Sequence, residues 1–293
     1  MTPRVVALGG GHGLAASLQA ARRYAGEVTA IVSVADDGGS SGRLRDAFGI
    51  PAPGDLRRCL VALANQETPL ARAFEYRFEA GELEGHALGN LVIAGLAAAM
   101  GDFPAAVVEA GRLLGLDQEG RSAGRVLPAT TGPVDLKAQV GDGEVVGQVH
   151  VHNTDEPITE VSLVPADAAA PDEAVEAIRA ADQVVIGPGS LYTSVLAVLA
   201  VPALREAVAA RRDGRVYVCN LRPQLPETAG FDAAAHVEAL RAHGVVPDVV
   251  VHDPTAMPAG DLEVAVVEAC LARPDGLAHD PERLAAVLAR LVP

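Results

Sequence analysis

The sequence predicts an α/β protein built on a mostly parallel, doubly wound sheet with a small antiparallel insert. Short runs rich in valine alternate with helix-like runs through most of the chain. Two glycine clusters each follow such a run, as in turns that connect a strand to a helix. Hydrophobic residues make up 49% of the chain and aromatic residues only 3%. The core is therefore mainly alanine, valine and leucine, which suits buried parallel strands covered by helices.

The N-terminal part reads as a βαβ unit followed by a helical block. A strand is predicted over 4–8, a helix over 14–24 and a second strand over 28–34. Residues 36–54, rich in Gly, Ser and Asp, are expected to form a long ordered loop. Four helices then follow, over 55–66, 69–79, 88–100 and 103–115.

The middle of the chain carries the insert. Residues 134–140 and 144–151 alternate around Gly-Asp-Gly-Glu, which predicts a hairpin, and 159–164 is a candidate third strand. We therefore treat residues 1–293 as a single domain with a β-hairpin insert near 134–165. The parallel part then resumes, with strands over 183–187, 215–219 and 248–252 and helices over 171–181, 193–199, 202–211, 232–243 and 281–291.

Bulk properties exclude several classes of partner. The formal net charge of −15 argues against nucleic-acid and anionic-membrane surfaces, so an anionic ligand needs local cations or helix N-termini. The cysteines Cys59, Cys219 and Cys270 are far apart, which fits a reducing cytosol. No signal peptide and no apolar run of about 18 residues is present, so we expect a cytoplasmic protein without a membrane span.

The first candidate site is the glycine cluster after the first strand, made of Gly9, Gly10, Gly11 and Gly13 around His12. Glycines here allow a tight turn, and the N–H groups of the following helix can bind a phosphate. The dinucleotide fingerprint fits only in part, because Leu14 occupies its third glycine position. An NAD-dependent dehydrogenase is therefore the weakest of the readings.

The second candidate site is the segment after the second strand, where open α/β sheets bind ligands. Its carboxylates could hold a metal ion or hydroxyls, its serines are hydrogen-bond donors and its arginine is a fixed cation. The alternative is a solvated loop. The residues assigned to ligand binding here are Asp36, Asp37, Gly38, Ser40, Ser41 and Arg43.

Two further clusters precede the helices over 55–66 and 88–100. Asp55 is either a ligand-binding carboxylate or an ordinary N-cap, and Arg57, in the same helix, is expected to face the cleft. His86 is a candidate acid, base or ligand contact, and Asn90 could read the edge of a base or sugar. The alternative for this second cluster is a helix start with ordinary capping.

A second glycine turn, Gly-Pro-Gly-Ser, follows a predicted strand and precedes a predicted helix, as the first glycine cluster does. Two phosphate-binding loops in one sheet suggest a ligand with a diphosphate or with two polar ends. The residues assigned here and after the next strand are Gly187, Gly189, Ser190, Thr193 and Asn220. His150 and His152 would share a face of a strand, but without a third ligand nearby a metal pair is disfavoured.

The ordered set of motifs resembles the YvcK branch of the YvcK/CofD-like family. The resemblance runs from about residue 4 to about residue 250 and rests on GGGHGL, VADDGGSSGRLR, PGDLRRCL, GHALGNL, VLPAT, IGPGSLYTS and CN…ET. It implies a Rossmann-like fold and a cytoplasmic gluconeogenesis factor without an assigned catalytic activity. Such a protein binds nucleotide sugars such as UDP-N-acetylglucosamine and links carbon supply to cell-wall precursor synthesis and cell shape.

The sister branch implied by the resemblance is an enzyme. CofD transfers phospholactate from a guanosine diphospho-lactate donor to a deazaflavin with Mg²⁺. We expect a second acidic residue after Asp55 in that branch, whereas this chain has Arg57, which cannot ligate Mg²⁺ and is expected to hold a phosphate. Two other departures, His12 for an expected threonine and the run RPQLPET, leave the exact sugar open.

The sequence therefore favours a regulatory protein that binds a nucleotide sugar, needs no cofactor and acts on a partner enzyme of amino-sugar synthesis. The transferase, with Asp37 and Asp55 as Mg²⁺ ligands, is the alternative. A homodimer through the apolar helix at 90–99 is left open. Ligand binding is expected to order the 36–54 loop, which a partner would then recognise.

Overall fold

The computed structural model describes residues 2–116 and 124–293. The strands are β1 (Arg4–Gly9), β2 (Glu27–Val32), β3 (Gly124–Pro128), β4 (Asp135–Val140), β5 (Gly143–Val146), β6 (Ile158–Val164), β7 (Gln183–Ile186), β8 (Arg215–Val218), β9 (Val249–His252) and β10 (Ala265–Glu268). The helices are α1 (Gly11–Ala21), α2 (Gly39–Phe48), α3 (Gly54–Leu63), α4 (Pro69–Glu75), α5 (Leu88–Met100), α6 (Phe103–Leu113), α7 (Gln148–His152), α8 (Asp172–Ala180), α9 (Leu196–Leu199), α10 (Pro202–Ala209), α11 (Ala233–Ala242) and α12 (Pro281–Leu288). A π-helical turn over Leu191–Val195 precedes α9, and a 3₁₀ turn over Ala289–Leu291 follows α12.

Seven strands form one parallel sheet in the order β10-β9-β8-β7-β1-β2-β3. From β1 the chain proceeds outward through β2 to β3, and from β7 it proceeds the other way to β10. The direction of winding therefore changes between β1 and β7, and open sheets bind ligands at the carboxyl ends of such strands. The predicted Rossmann-like, doubly wound class is confirmed.

The core lies between this sheet and its helices and is aliphatic, as the composition indicated. β1 and β2 are buried over five of their six residues each, because both faces are covered. In the described chain no single helix is long and apolar enough to cross a membrane, although the bent pair Leu191–Leu199 and Pro202–Ala209 passes that test when combined.

The antiparallel insert is a separate three-stranded sheet in the order β5-β4-β6. The hairpin and the third strand are confirmed, but the second strand was predicted too long. It ends at Val146 because Gly147 adopts φ 103°, and α7 begins at the next residue. His150 and His152 therefore lie on a helix, and the expectation that they share a strand face is wrong.

Four other elements differ from the prediction. The 36–54 segment was predicted to be a loop but contains α2. Its sequence is mostly polar, so no apolar periodicity indicates the buried face, which includes Ser40 and Leu44. The edge strands β3 and β10 were not predicted, because β3 ends in a proline and β10 is a four-residue strand with little burial. α1 begins at Gly11, so part of the first glycine cluster is the opening turn of this helix.

Candidate functional site

The two glycine loops meet at the switch point of the sheet. Gly10 precedes α1 in an extended conformation and makes no side-chain cap, as glycine must. A Cβ on Gly13 would overlap the carbonyl group of Pro188 and the amide of Gly189. A Cβ on Gly10 would overlap the carboxylate of Asp55. The loops after β1 and β7 therefore need glycine in order to approach each other and the neighbouring helix α3.

A polar cavity of about 380 Å³ opens over these loops. It is lined by Gly10, Gly11, His12, Gly13, Ser33, Asp36, Asp55, Arg58, Gln148, Gly189, Ser190, Thr193, Ser194 and Gln224. Nine of these were assigned to ligand binding from the sequence: Gly10, Gly11, His12, Gly13, Asp36, Asp55, Gly189, Ser190 and Thr193. The carboxyl ends of β1, β2 and β7 thus bring separate motifs together, as the parallel sheet requires.

A second cavity of about 560 Å³ adjoins the first and is less polar. It shares four residues with the polar cavity, which are His12, Gly13, Gly189 and Gln224. The rest of its wall comes from α1, α7, Pro188 of the loop after β7, the loop after β8 and residues 277–279. We call the two together the cleft, with a polar lobe over the glycine loops and an apolar lobe beside them.

Two carboxylates and one arginine set the charge of the polar lobe. Burial raises the pKa of Asp36, and the nearby charge of Asp55 adds to this, while hydrogen bonds from Gly38 and Ser41 oppose it. Asp55 Oδ1 accepts a hydrogen bond from Arg58 Nη1 at 2.6 Å and does not cap α3, whose N-cap is Pro53. Arg58 is therefore the cation at this wall.

His12 stands where all these groups meet, because it lines both lobes and a third cavity beside α3. Burial lowers the pKa of His12, and the positive charge of Arg58 lowers it further. Its imidazole is therefore favoured in the neutral form, which offers one donor and one acceptor to a ligand.

The expectation that Arg57 faces the cleft is wrong. Its side chain is buried beneath the start of α5, where Nη1 donates to Glu75 Oε1 at 2.7 Å. Burial lowers the pKa of Arg57, and Glu75 opposes this effect. Arg57 and Arg58 are adjacent on a helix and so point about 100° apart, which sends only one of them to the cleft.

The His86 cluster lies outside both lobes and forms its own network. Ser40 Oγ lies 3.0 Å from His86 Nδ1 and accepts from Asn90 Nδ2 at 3.1 Å, and all three side chains are buried. Burial lowers the pKa of His86, and the charges of Arg43 and Arg77 add to this. Arg43 itself is exposed and donates to the Glu84 carbonyl at 2.8 Å. These groups join α2 to α5.

Several assigned residues hold the loops of the cleft in place. Asn220 clamps the second glycine loop, because its side-chain amide donates to the Gly189 carbonyl and accepts from the Gly189 N–H, both at 2.9 Å. Gly187 accepts a hydrogen bond from the Ser17 hydroxyl at 3.0 Å. Asp37 accepts from the Val149 N–H at 3.0 Å and so fixes α7 to the segment after β2.

Five residues of the polar lobe were not predicted: Ser33, Arg58, Gln148, Ser194 and Gln224. Arg58 could have been predicted, since it follows Arg57 in the same motif. The two side chains differ only in the direction in which they point from the helix. Ser33 directly follows β2, at the same edge of the sheet as the glycine loops. Gln148 and Gln224 reach the cleft from the insert and from the loop after β8, and no sequence pattern indicates this.

His279, a buried residue in the wall of the apolar lobe, should make the stability of the fold depend on pH. Burial lowers the pKa of His279 to about 4, while a hydrogen bond to the Cys219 carbonyl opposes this. Between pH 6.5 and 4 the unfolded chain therefore binds more protons at this histidine than the folded protein does. Stability should fall by roughly 2–3 kcal/mol as the pH drops through that range.

Urea unfolding at pH 7, 5.5 and 4.5 measures this effect. His279→Gln should show a shallower loss of unfolding free energy with acid than the unsubstituted protein. Parallel slopes in the two proteins would contradict the assignment to His279.

The fold and the cleft define a Rossmann-like α/β protein with two glycine loops at the switch point of its sheet. The family model described as 2-phospho-L-lactate transferase CofD matches residues 5–287. The chain belongs to this YvcK/CofD-like family.

Relatives support the same placement. The chain is 44% identical over 253 residues to the gluconeogenesis factor of Halalkalibacterium halodurans, covering 85% of this chain and 77% of that protein. It is 42% identical over 243 residues to the gluconeogenesis factor of Bacillus subtilis, covering 82% and 75% respectively. A crystal structure of a UPF0052-family protein from Bacillus halodurans superposes with a TM-score of 0.90 at 36% identity, covering 98% of this chain and 99% of that one.

Proposed function

We propose that this protein is a cytoplasmic regulator that binds a nucleotide diphospho-sugar of the UDP-N-acetylglucosamine type. The observation that carries the proposal is the polar lobe, where two glycine loops and the start of α1 face Arg58 across one cavity. Free N–H groups at a helix N-terminus and an arginine are the groups that bind a diphosphate. The adjoining apolar lobe offers room for the other end of a two-ended ligand.

The relatives named gluconeogenesis factor support a regulatory role in carbon metabolism. In this proposal the ligand reports the supply of amino sugar, and the partner is an enzyme of amino-sugar synthesis that affects cell shape. The segment after β2, residues 36–54, is the part of the protein that we propose responds to the ligand and is recognised by the partner. Asp36 lines the polar lobe, and its neighbour Asp37 accepts a hydrogen bond from the Val149 amide of α7. In this proposal a ligand that contacts Asp36 changes the position of this segment and of α7, which a partner protein recognises.

A second candidate function is a 2-phospho-L-lactate transferase, the activity in the description of the matching family model. For this candidate we propose a guanosine diphospho-lactate donor and Mg²⁺, as the resemblance to CofD implies. Asp36 and Asp55 both line the polar lobe, and Mg²⁺ commonly uses one or two carboxylates together with phosphates of the substrate. Against this, Asp55 is paired with Arg58 and Asp37 with the Val149 amide. No group of three or more candidate metal ligands occurs in the described residues.

A thermal-shift panel separates the candidates. UDP-N-acetylglucosamine, UDP, GDP, NAD and a deazaflavin are each tested with and without Mg²⁺. We expect UDP-N-acetylglucosamine to raise the melting temperature without Mg²⁺, because binding to the folded state alone stabilises it. A shift only with GDP and Mg²⁺ would favour the transferase, and a shift only with NAD would contradict both.

A further inference from the structure

A buried carboxylate stands behind the wall of the cleft. Glu227, in the loop after β8, has a fully buried side chain. Its Oε2 accepts a hydrogen bond from Thr193 Oγ1 at 3.3 Å and lies 3.4 Å from His152 Nδ1. Burial raises the pKa of Glu227, while the charge of His152 and the hydrogen bonds that Glu227 accepts from His152 and Thr193 oppose this. A carboxylate in such a place requires partners, and these two side chains supply them to Oε2, whereas Oε1 has no hydrogen-bond partner among the described residues.

The two partners lie on different lobes of the cleft. Thr193 follows the second glycine loop and lines the polar lobe, whereas His152 comes from α7 of the insert and lines the apolar lobe. His152 remains 38% exposed while Glu227 engages its Nδ1. Its other ring nitrogen, Nε2, is therefore the atom available to a molecule in that lobe.

Proton sharing within the pair determines what Nε2 offers. If the shared proton lies on the imidazole, both ring nitrogens carry hydrogen and His152 is a cation. If the proton lies on Glu227, Nδ1 accepts it and the neutral ring carries its hydrogen on Nε2. In both of these arrangements Nε2–H is a donor, whereas with one proton fewer Nδ1–H donates to the ionised Glu227 and Nε2 is an acceptor. A phosphate oxygen at Nε2 favours the arrangements in which Nε2 carries hydrogen.

We propose that His152, positioned by Glu227, is a ligand-binding residue whose Nε2–H donates to a phosphate oxygen of a nucleotide diphosphate seated on the glycine loops. This rests on the proposed function, since it names one further contact of the same cleft. The same lobe is bounded by Gly13 and Gly189 of the two loops, which places His152 on the wall that a diphosphate would face.

The proposal gives the antiparallel insert a role in binding. α7 is tied to the main sheet at two points, through Glu227 and through the bond between Asp37 and the Val149 amide. A ligand held by both the glycine loops and His152 would therefore bridge the parallel sheet and the insert. Gln148, at the start of the same helix, lines the polar lobe and reinforces this bridge.

Calorimetric titration with UDP and with uridine tests the contact. We expect His152→Gln to weaken UDP binding about 10-fold and to leave uridine, which has no phosphate, unchanged. Glu227→Gln should weaken UDP binding similarly. The double variant should bind UDP no more weakly than either single variant, because both substitutions remove the same contact between His152 and the phosphate. His150→Gln is the matched control, since His150 is exposed on the same helix and its ring bonds to the Val146 carbonyl. It should bind UDP as the unsubstituted protein does.

Different results overturn different claims. If the unsubstituted protein binds UDP and His152→Gln binds it equally well, the His152 contact is wrong and the proposed function stands. Equal weakening of UDP and uridine would also overturn the contact, because it would indicate a general loss of shape. If the unsubstituted protein binds no nucleotide, the proposed function fails and this inference fails with it. Should Glu227→Gln not fold, the half-exposed His152 still provides the test.

Discussion

Gly13→Ala is expected to abolish ligand binding and to destabilise the fold. The added Cβ would overlap backbone atoms of Pro188 and Gly189, which cannot rotate away as a side chain would. The two glycine loops must therefore separate, at a cost of about 1–3 kcal/mol typical of overpacking. Because both lobes of the cleft include Gly13 and Gly189, their separation deforms the cleft as well. Urea unfolding and calorimetric titration with UDP measure the two effects.

Gly95→Ala is the control for the same substitution elsewhere. Gly95 is an exposed residue inside α5, and a Cβ there would meet no atom within 4 Å. This variant should gain about 0.5–1 kcal/mol of stability, because alanine favours the helix. It should bind UDP normally. If Gly13→Ala behaved in the same way, the two loops would not be in the close contact that the structure gives them.

The parallel sheet and the two glycine loops could be predicted because their signals are local. A valine-rich run followed by glycines determines a strand and a turn without reference to distant residues. The same logic placed Asp36 and Ser190 at the carboxyl edge of the sheet, where the structure has them. The prediction from local patterns failed at Gly147, where a positive φ ends β5 and α7 begins at the next residue. The sequence does not distinguish a glycine that ends a strand from one that lies within it.

What the sequence could not give is the direction of a side chain on a helix whose packing is unknown. For Asp55 the sequence left two roles open, a ligand-binding carboxylate and an N-cap; α3 begins at Gly54, so the carboxylate does not cap the helix but bonds Arg58 and lines the polar lobe. His86 and Asn90 were expected in the cleft, but α5 packs on α2 and turns them toward Ser40. Tertiary packing decides the outcome for His86 and Asn90, because their common partner Ser40 lies 46 and 50 residues away in the chain.

The neighbouring arginines of α3 provide the sharpest contrast between the sequence and the structure. Arg58→Met is expected to weaken UDP binding roughly 10- to 100-fold, because the variant loses a charged hydrogen bond worth about 1.5–3 kcal/mol. The loss is compounded by Asp55, whose carboxylate is left in the polar lobe without Arg58 and repels a diphosphate. Adding Asp55→Asn to the same variant should therefore recover part of the affinity.

Arg57→Met is the matched substitution one residue earlier, and it should leave UDP binding unchanged. Arg57 is buried against Gly89, and its one ion pair within residues 2–116 and 124–293 is with the half-exposed Glu75, which water can solvate once the arginine is gone. Its Nε makes no hydrogen bond within the described residues, so methionine, which is shorter but keeps the apolar contact with Gly89, should leave the protein folded. Calorimetric titration of the two variants with UDP decides the matter. Strong weakening by Arg57→Met with little effect of Arg58→Met would mean that the phosphate lies on the other side of α3, away from the glycine loops.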